Sequence, residues 1–168
     1  ATFIIYYNRF TILNNRIENS LAQIDVQLKK RADLIPALIK IVKGYASHEK
    51  KIMDSVSKAR ADMIKAGNIS SKIKAGDALQ AALGKIFAIA ENYPNLKANE
   101  NFLQLQTELS AIEDKVAYAR QYYNDGILSL ENASESFPGV FFFKLYGRQK
   151  KDYLQIPASN KSMPEIEF

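Results

Sequence analysis

The chain of 168 residues contains no cysteine and a single histidine. The first absence excludes disulfides, thiolate nucleophiles and Cys-ligated zinc or iron–sulfur centres, and it leaves the redox compartment unread. The second restricts metal chemistry, because a carboxylate-bridged di-metal site in a helical protein needs Glu-x-x-His pairs on two facing helices. His48 is followed directly by Glu49, which matches neither that spacing nor the His-Glu-x-x-His of a metalloprotease. His48 therefore reads as a surface or boundary residue. Glycines are few and isolated: Gly76, Gly84, Gly126, Gly139 and Gly147 form no phosphate-cradling loop, so nucleotide binding has no support. No Gly-x-Ser-x-Gly elbow is present, and a helical bundle offers no evident oxyanion hole. No catalytic, cofactor-binding or metal-binding constellation is legible.

Strong helix breakers are as scarce. Between Phe3 and Gly67 the only glycine is Gly44 and the only proline Pro36. Tyr6, Phe10, Leu13, Ile17, Leu21, Ile24 and Leu28 recur at steps of three and four, which places them on one helical face. Ile35, Leu38, Val42, Tyr45, Ile52, Val56, Ala59 and Met63 form a second stripe, with Glu49 where an apolar residue is due. The break between the two is expected at Arg31 to Asp33, since Asp33 can cap a new helix and Pro36 tolerates its first turn. One kinked helix is the alternative. Gly67-Asn68 signals a turn. Asp77 with Gln80 has the form of an acidic capping box opening a third stripe through Leu79, Leu83, Ile86, Ala90 and Tyr93, with a start as early as Ile73 open. Asn99 is placed to cap a fourth, from Phe102 to Leu130.

These stripes predict an all-α fold, an antiparallel up-and-down four-helix bundle with long helices and an irregular C-terminal segment. The bundle is expected over residues 1–135, with helices near 3–31, 33–66, 73–93 and 99–132. An apolar and basic segment, 136–156, is expected to pack on the bundle end or on a membrane. A polar tail, 157–168, follows. At this length one domain can hold a real core.

Formal net charge is +5, and the excess lies in residues 1–100, which hold 16 Lys/Arg against 9 Asp/Glu. Such a bias favours anionic partners. The cations are scattered among acids, with Lys29, Lys30 and Arg31 the one tight cluster before the C-terminal segment, and they read mainly as a solvated face. The aromatics fall mostly in core stripes, so no stacking surface for nucleic acid is expected.

Two blocks carry a family resemblance. Ile17 to Arg60, IENSLAQIDVQLKKRADLIPALIKIVKGYASHEKKIMDSVSKAR, and Glu91 to Asn124, ENYPNLKANENFLQLQTELSAIEDKVAYARQYYN, resemble the LemA family in the same order. After the Tyr-Asn of the second block, Phe137-Pro138, Leu145-Tyr146-Gly147 and Tyr153 match the family's C-terminal pattern only loosely. The resemblance implies a bacterial four-helix protein tethered by an N-terminal membrane helix. It names no reaction.

The chain opens at Ala1 without Met, and Phe3-Ile4-Ile5-Tyr6-Tyr7 precedes Asn8-Arg9. That run is far short of the roughly 20 apolar residues of a span, but it resembles the exit of one, with aromatic rings at headgroup level. With the resemblance, it points to a single-pass anchor upstream of Ala1 in a bacterial cell membrane, the side unspecified. Phe3, Ile4, Ile5, Tyr6 and Tyr7 are thus one half of a candidate membrane-proximal patch. Phe141, Phe142 and Phe143, followed by the cations Lys144, Arg148, Lys150 and Lys151, are the other. In an up-and-down bundle both halves share one end. A chain reversal near Ala32 would set Glu49 level with Arg16 and make them a buried polar pair. The leading reading is a non-enzymatic membrane-tethered scaffold or adaptor for an unidentified membrane protein. The alternatives are an accessory factor of a membrane enzyme such as a protease, and a peripheral lipid-binding bundle.

Overall fold

The computed structural model describes residues 2–147 and 149–155. Their regular structure is entirely helical: α1 Thr2–Tyr45, α2 Lys50–Lys65, α3 Ile69–Ala90, α4 Pro94–Lys97, α5 Glu100–Glu135 and α6 Gly139–Leu145. Arg148, Ala1 and the expected tail at 157–168 lie outside the described residues.

The first two expected helices divide differently. α1 runs unbroken for 44 residues, with Pro36 inside it. A proline there removes the N–H that would bond the carbonyl four residues earlier, that of Ala32, and normally breaks the helix. Here Arg60 of α2 donates from Nε to the Ala32 carbonyl at 2.8 Å, so the orphaned acceptor is satisfied from outside. The chain turns instead at residues 46–49, where the apolar rhythm fails at Glu49. Glu49 is the N-cap residue of α2, and its carbonyl accepts from Met53 at 3.2 Å. Replacing Arg60 with Met keeps the stem and strands that carbonyl. A loss of about 1–2 kcal/mol in a urea titration is expected, whereas an unchanged midpoint would show that water replaces the guanidinium.

The helices belong to two compact units. Unit 2, residues 24–116, holds the C-terminal half of α1, then α2, α3, α4 and the start of α5. Its buried side chains include Ile24, Leu28, Ile35, Leu38 and Val42 of α1, Val56 and Met63 of α2, Leu79, Leu83 and Ile86 of α3, and Phe102, Leu109 and Val116 of α5. Asn68 caps α3 by accepting from Ser71 N–H at 2.8 Å, so this helix starts eight residues ahead of Asp77. Asn99 caps α5 by accepting from Phe102 N–H at 3.0 Å. Tyr45, assigned to the core by spacing, is 44% exposed, because it ends α1 and the stripe shifts to Ala46.

Arg31 corrects the reading of Lys29, Lys30 and Arg31 as a solvated face. The lysines are exposed, but Arg31 is among the most buried side chains. Its Nη1 donates to the Gly76 carbonyl at 3.3 Å and its Nη2 pairs with Glu113, tying α1 to α3 and α5.

Unit 1, residues 1–23 and 117–168, packs Phe10, Leu13 and Ile17 of α1 against Tyr123, Ile127, Leu130 and Ala133 of α5 and Phe143 of α6. Gly126 lets the two long helices approach: a Cβ there would sit 3.0 Å from Ile17 Cγ1. Residues 149–155 then run without regular structure along the helices. The described helices number six, and the all-helical class holds.

Candidate functional site

Phe3, Tyr6, Tyr7 and Phe10 are spaced three, four and seven apart, so they line one side of the first two turns of α1. α6 meets that side within unit 1. Tyr6 stacks on Phe142 with ring centroids 5.2 Å apart, Phe10 meets the edge of Phe143 at 5.4 Å, and Tyr146 contacts Phe3 and Tyr7 at 5.2 and 5.4 Å. The Tyr146 hydroxyl donates to the Phe3 carbonyl at 2.8 Å. The structure thus brings Phe141 to Phe143 beside the chain start. The mixed stacked and edge-on geometry suits the quadrupoles of the rings.

Three consecutive phenylalanines cannot share one face, since each step turns a helix by about 100°. Phe143 is buried, Phe142 half-buried and Phe141 66% exposed. Phe137 and Leu145 flank Phe141 at four-residue spacing and are 81% and 66% exposed. Spacing alone would have added these two to the patch. Phe3, Ile4, Ile5 and Tyr7 are exposed as well, so unit 1 carries unburied apolar side chains both at the start of α1 and around α6.

The basic half of the candidate patch is altered. Lys144 is exposed. Lys150 is bonded to Glu135 and Lys151 to Glu18, so two of the four cations are matched internally. The Glu135 hydrogen bond and charge hold the Lys150 ammonium above its ordinary value. Arg148 lies outside the described residues.

The Arg16–Glu49 pair also requires correction. It presupposed a reversal near Ala32, and α1 runs straight through that point. Arg16 is exposed, and Glu49, half-buried, accepts from the Tyr93 hydroxyl at 3.3 Å. Burial raises the Tyr93 phenol, and the Glu49 carboxylate adds to the shift by charge and hydrogen bond.

Among the described residues no cluster of three or more His, Asp or Glu is arranged to hold a metal, and no helix is long and apolar enough to cross a membrane.

A second surface of unit 1 has no counterpart among the motifs of the sequence. Residues 149–155 lie against Tyr123, Asn124 and Glu131 of α5, where Tyr123 donates to the Asp152 carbonyl at 3.0 Å and Tyr153 to Glu131 at 2.6 Å. Burial, then Asp152 and Glu18, raise the Tyr123 phenol, while the Glu131 hydrogen bond leads the rise at Tyr153. The folded chain therefore holds these protons more tightly than an unfolded chain with phenols near the ordinary value of 10.0. Their contribution to stability is complete below about pH 10 and fades as pH climbs through the raised folded values. Spectrophotometric titration is expected to show late-ionising tyrosines, together with exposure of residues 149–155 to protease above that range. Titration of every tyrosine near 10 would contradict it.

The sequence profile of the LemA family matches residues 20–168. Magnetosome protein MamQ 2 of Paramagnetospirillum magneticum is 22% identical over 92% of this chain and 66% of its own length. Magnetosome protein MamQ of Magnetospirillum gryphiswaldense is 24% identical over 91% of the chain and 66% of its length. Protein LemA of Metamycoplasma hominis is 27% identical over 73% of the chain and 58% of its length. The chain thus spans just under two thirds of these MamQ relatives and less of the LemA relative.

Proposed function

The chain belongs to the LemA family, and we propose that it is a membrane-tethered, non-enzymatic helical adaptor whose aromatic end rests on the lipid surface. The observation that carries this reading is that α6 packs on the first turns of α1 through Phe142 and Tyr146, while Phe3, Ile4, Ile5 and Tyr7 of the one and Phe137, Phe141 and Leu145 in and beside the other stay exposed. Aromatic and aliphatic side chains that no core covers partition favourably into the headgroup boundary. A tether from the family's N-terminal helix and a contact through α6 would reinforce each other, because one weak membrane signal holds a protein only marginally. The four-helix bundle implied by the family fits the apolar stripes of α1, α2, α3 and α5. The MamQ relatives are named as magnetosome proteins, and the name specifies no reaction.

Internal pairing of Lys150 and Lys151 makes the contact more apolar than ionic. Co-sedimentation with anionic and with zwitterionic vesicles tests it. The Phe137→Ser/Phe141→Ser variant is expected to bind about tenfold or more weakly, as loss of two partly inserted rings requires, while its melting temperature stays put because both rings are exposed. Equal binding by the variant and the parent chain would remove the aromatic end from the mechanism.

A further inference from the structure

The face of unit 1 that holds residues 149–155 is built to read a peptide backbone. Asn124 accepts from the Leu154 N–H through Oδ1 and donates to the Leu154 carbonyl through Nδ2, both at 2.9 Å. A side-chain amide that satisfies both main-chain groups of one residue does what a neighbouring β-strand does, and it selects extended conformation rather than sequence. Tyr123, 5% exposed, adds its bond to the Asp152 carbonyl. Both side chains project from α5, so the site stands on a rigid element.

Selectivity comes from the carboxylates around it. Glu135 takes Lys150, Glu18 takes Lys151 and Glu131 accepts from Tyr153. Leu154 packs against the unit 1 core. The ion pair of Lys150 and Glu135 is largely exposed, with side chains at 58% and 64%, so salt and a competing cation both weaken it. Gly147, with φ of 59°, supplies the left-handed residue between α6 and this segment.

We propose that this face is a binding groove for an extended peptide of a partner protein, one with two adjacent cations, a spacer residue and then an aromatic–aliphatic pair, and that residues 149–155 fill it intramolecularly. The groove would give an adaptor its client, and partner and strap would compete for it. The inference does not depend on lipid binding: failed vesicle binding leaves it standing, and a failed peptide titration leaves the lipid reading standing.

The test uses the full chain and a fluorescein-labelled peptide with the sequence Gln-Lys-Lys-Asp-Tyr-Leu-Gln, followed by anisotropy. In the Lys150→Glu/Lys151→Glu variant Glu18 and Glu135 repel the internal segment and open the groove. That variant is expected to bind the peptide at least about tenfold more tightly than the parent chain, and adding Asn124→Ala is expected to reverse this by about tenfold or more. If Asn124→Ala fails to fold, Tyr123→Phe, which keeps the ring in the core and loses only the donor, carries the same arm. A scrambled peptide of identical composition is expected to bind weakly. The proposal is overturned if the charge-reversed variant binds no better than the parent chain, if binding survives loss of the Asn124 or Tyr123 contact, or if the scrambled peptide binds equally well.

Discussion

Substituting Arg31 with alanine is expected to cost about 3–5 kcal/mol, the range for breaking a buried ion pair from one side. The guanidinium is 1% exposed, donates to the Gly76 carbonyl and pairs with Glu113, so its removal strands a carbonyl, a carboxylate and the space between three helices of unit 2. Glu113→Gln should be milder, because the Glu113 side chain keeps 21% exposure and an amide oxygen can still accept. The informative comparison is Arg31→Met/Glu113→Leu, which fills the volume and removes both charges. That double variant is expected to recover most of the loss, since buried pairs replaced by apolar groups of similar size are often neutral or better. Urea titrations at neutral pH with an unchanged slope measure all three. Equal losses for Arg31→Ala and the double variant would show that neither the empty space nor the stranded carboxylate sets the cost, and would assign it to the Gly76 carbonyl left without its donor.

Gly139→Ala is expected to destabilise unit 1 by about 2–3 kcal/mol, the upper part of the range for overpacking. A Cβ at this position would stand 2.0 Å from the Ala133 carbonyl oxygen and 3.2 Å from Tyr6 Cε1. A side chain such as Leu28, which faces Gly76, can rotate away from an added methyl; the backbone of α5 cannot. The first turn of α6 would have to lift, and with it Phe142, Phe143 and Tyr146 would leave Tyr6, Phe10 and Phe3. Near-ultraviolet circular dichroism should therefore lose aromatic signal before the helical signal melts. Coincident loss of both, with an unshifted midpoint, would refute the close approach.

The two misplaced boundaries show what a stripe can and cannot report. Glu49 is visible as a gap in the apolar rhythm, and spacing alone puts it inside a helix, whereas it is the N-cap from which α2 starts. Pro36 was read as opening a helix because its local chemistry allows that, and its tolerance inside α1 depends on Arg60, which is distant in sequence. Arg31 carried no signal of burial either. It sits beside two exposed lysines, and only the arrival of Gly76 and Glu113 from other helices distinguishes it from them.

Phe141, Phe142 and Phe143 make the same point for the candidate site. Their composition announced a segment that could not be wholly buried, and spacing would have grouped Phe141 with Phe137 and Leu145. Which rings went inside was decided by Tyr6 and Phe10 on α1 and by the close approach at Gly139. The groove around Asn124 had no sequence signature, since an asparagine on a polar helix face looks the same whether it faces water or a peptide backbone.

By itself the sequence determined the all-helical class, nearly all the core stripes, the turn at Gly67-Asn68, the cap at Asn99 and family membership, because helix periodicity, turn chemistry and capping act over a few residues. Tertiary structure alone decided that α1 continues through Pro36, that Arg31 is buried, that Lys150 and Lys151 are neutralised, and where residues 149–155 lie. Each of these depends on a donor or acceptor supplied from far along the chain, and a side chain's burial free energy depends on its partner, which local patterning does not encode.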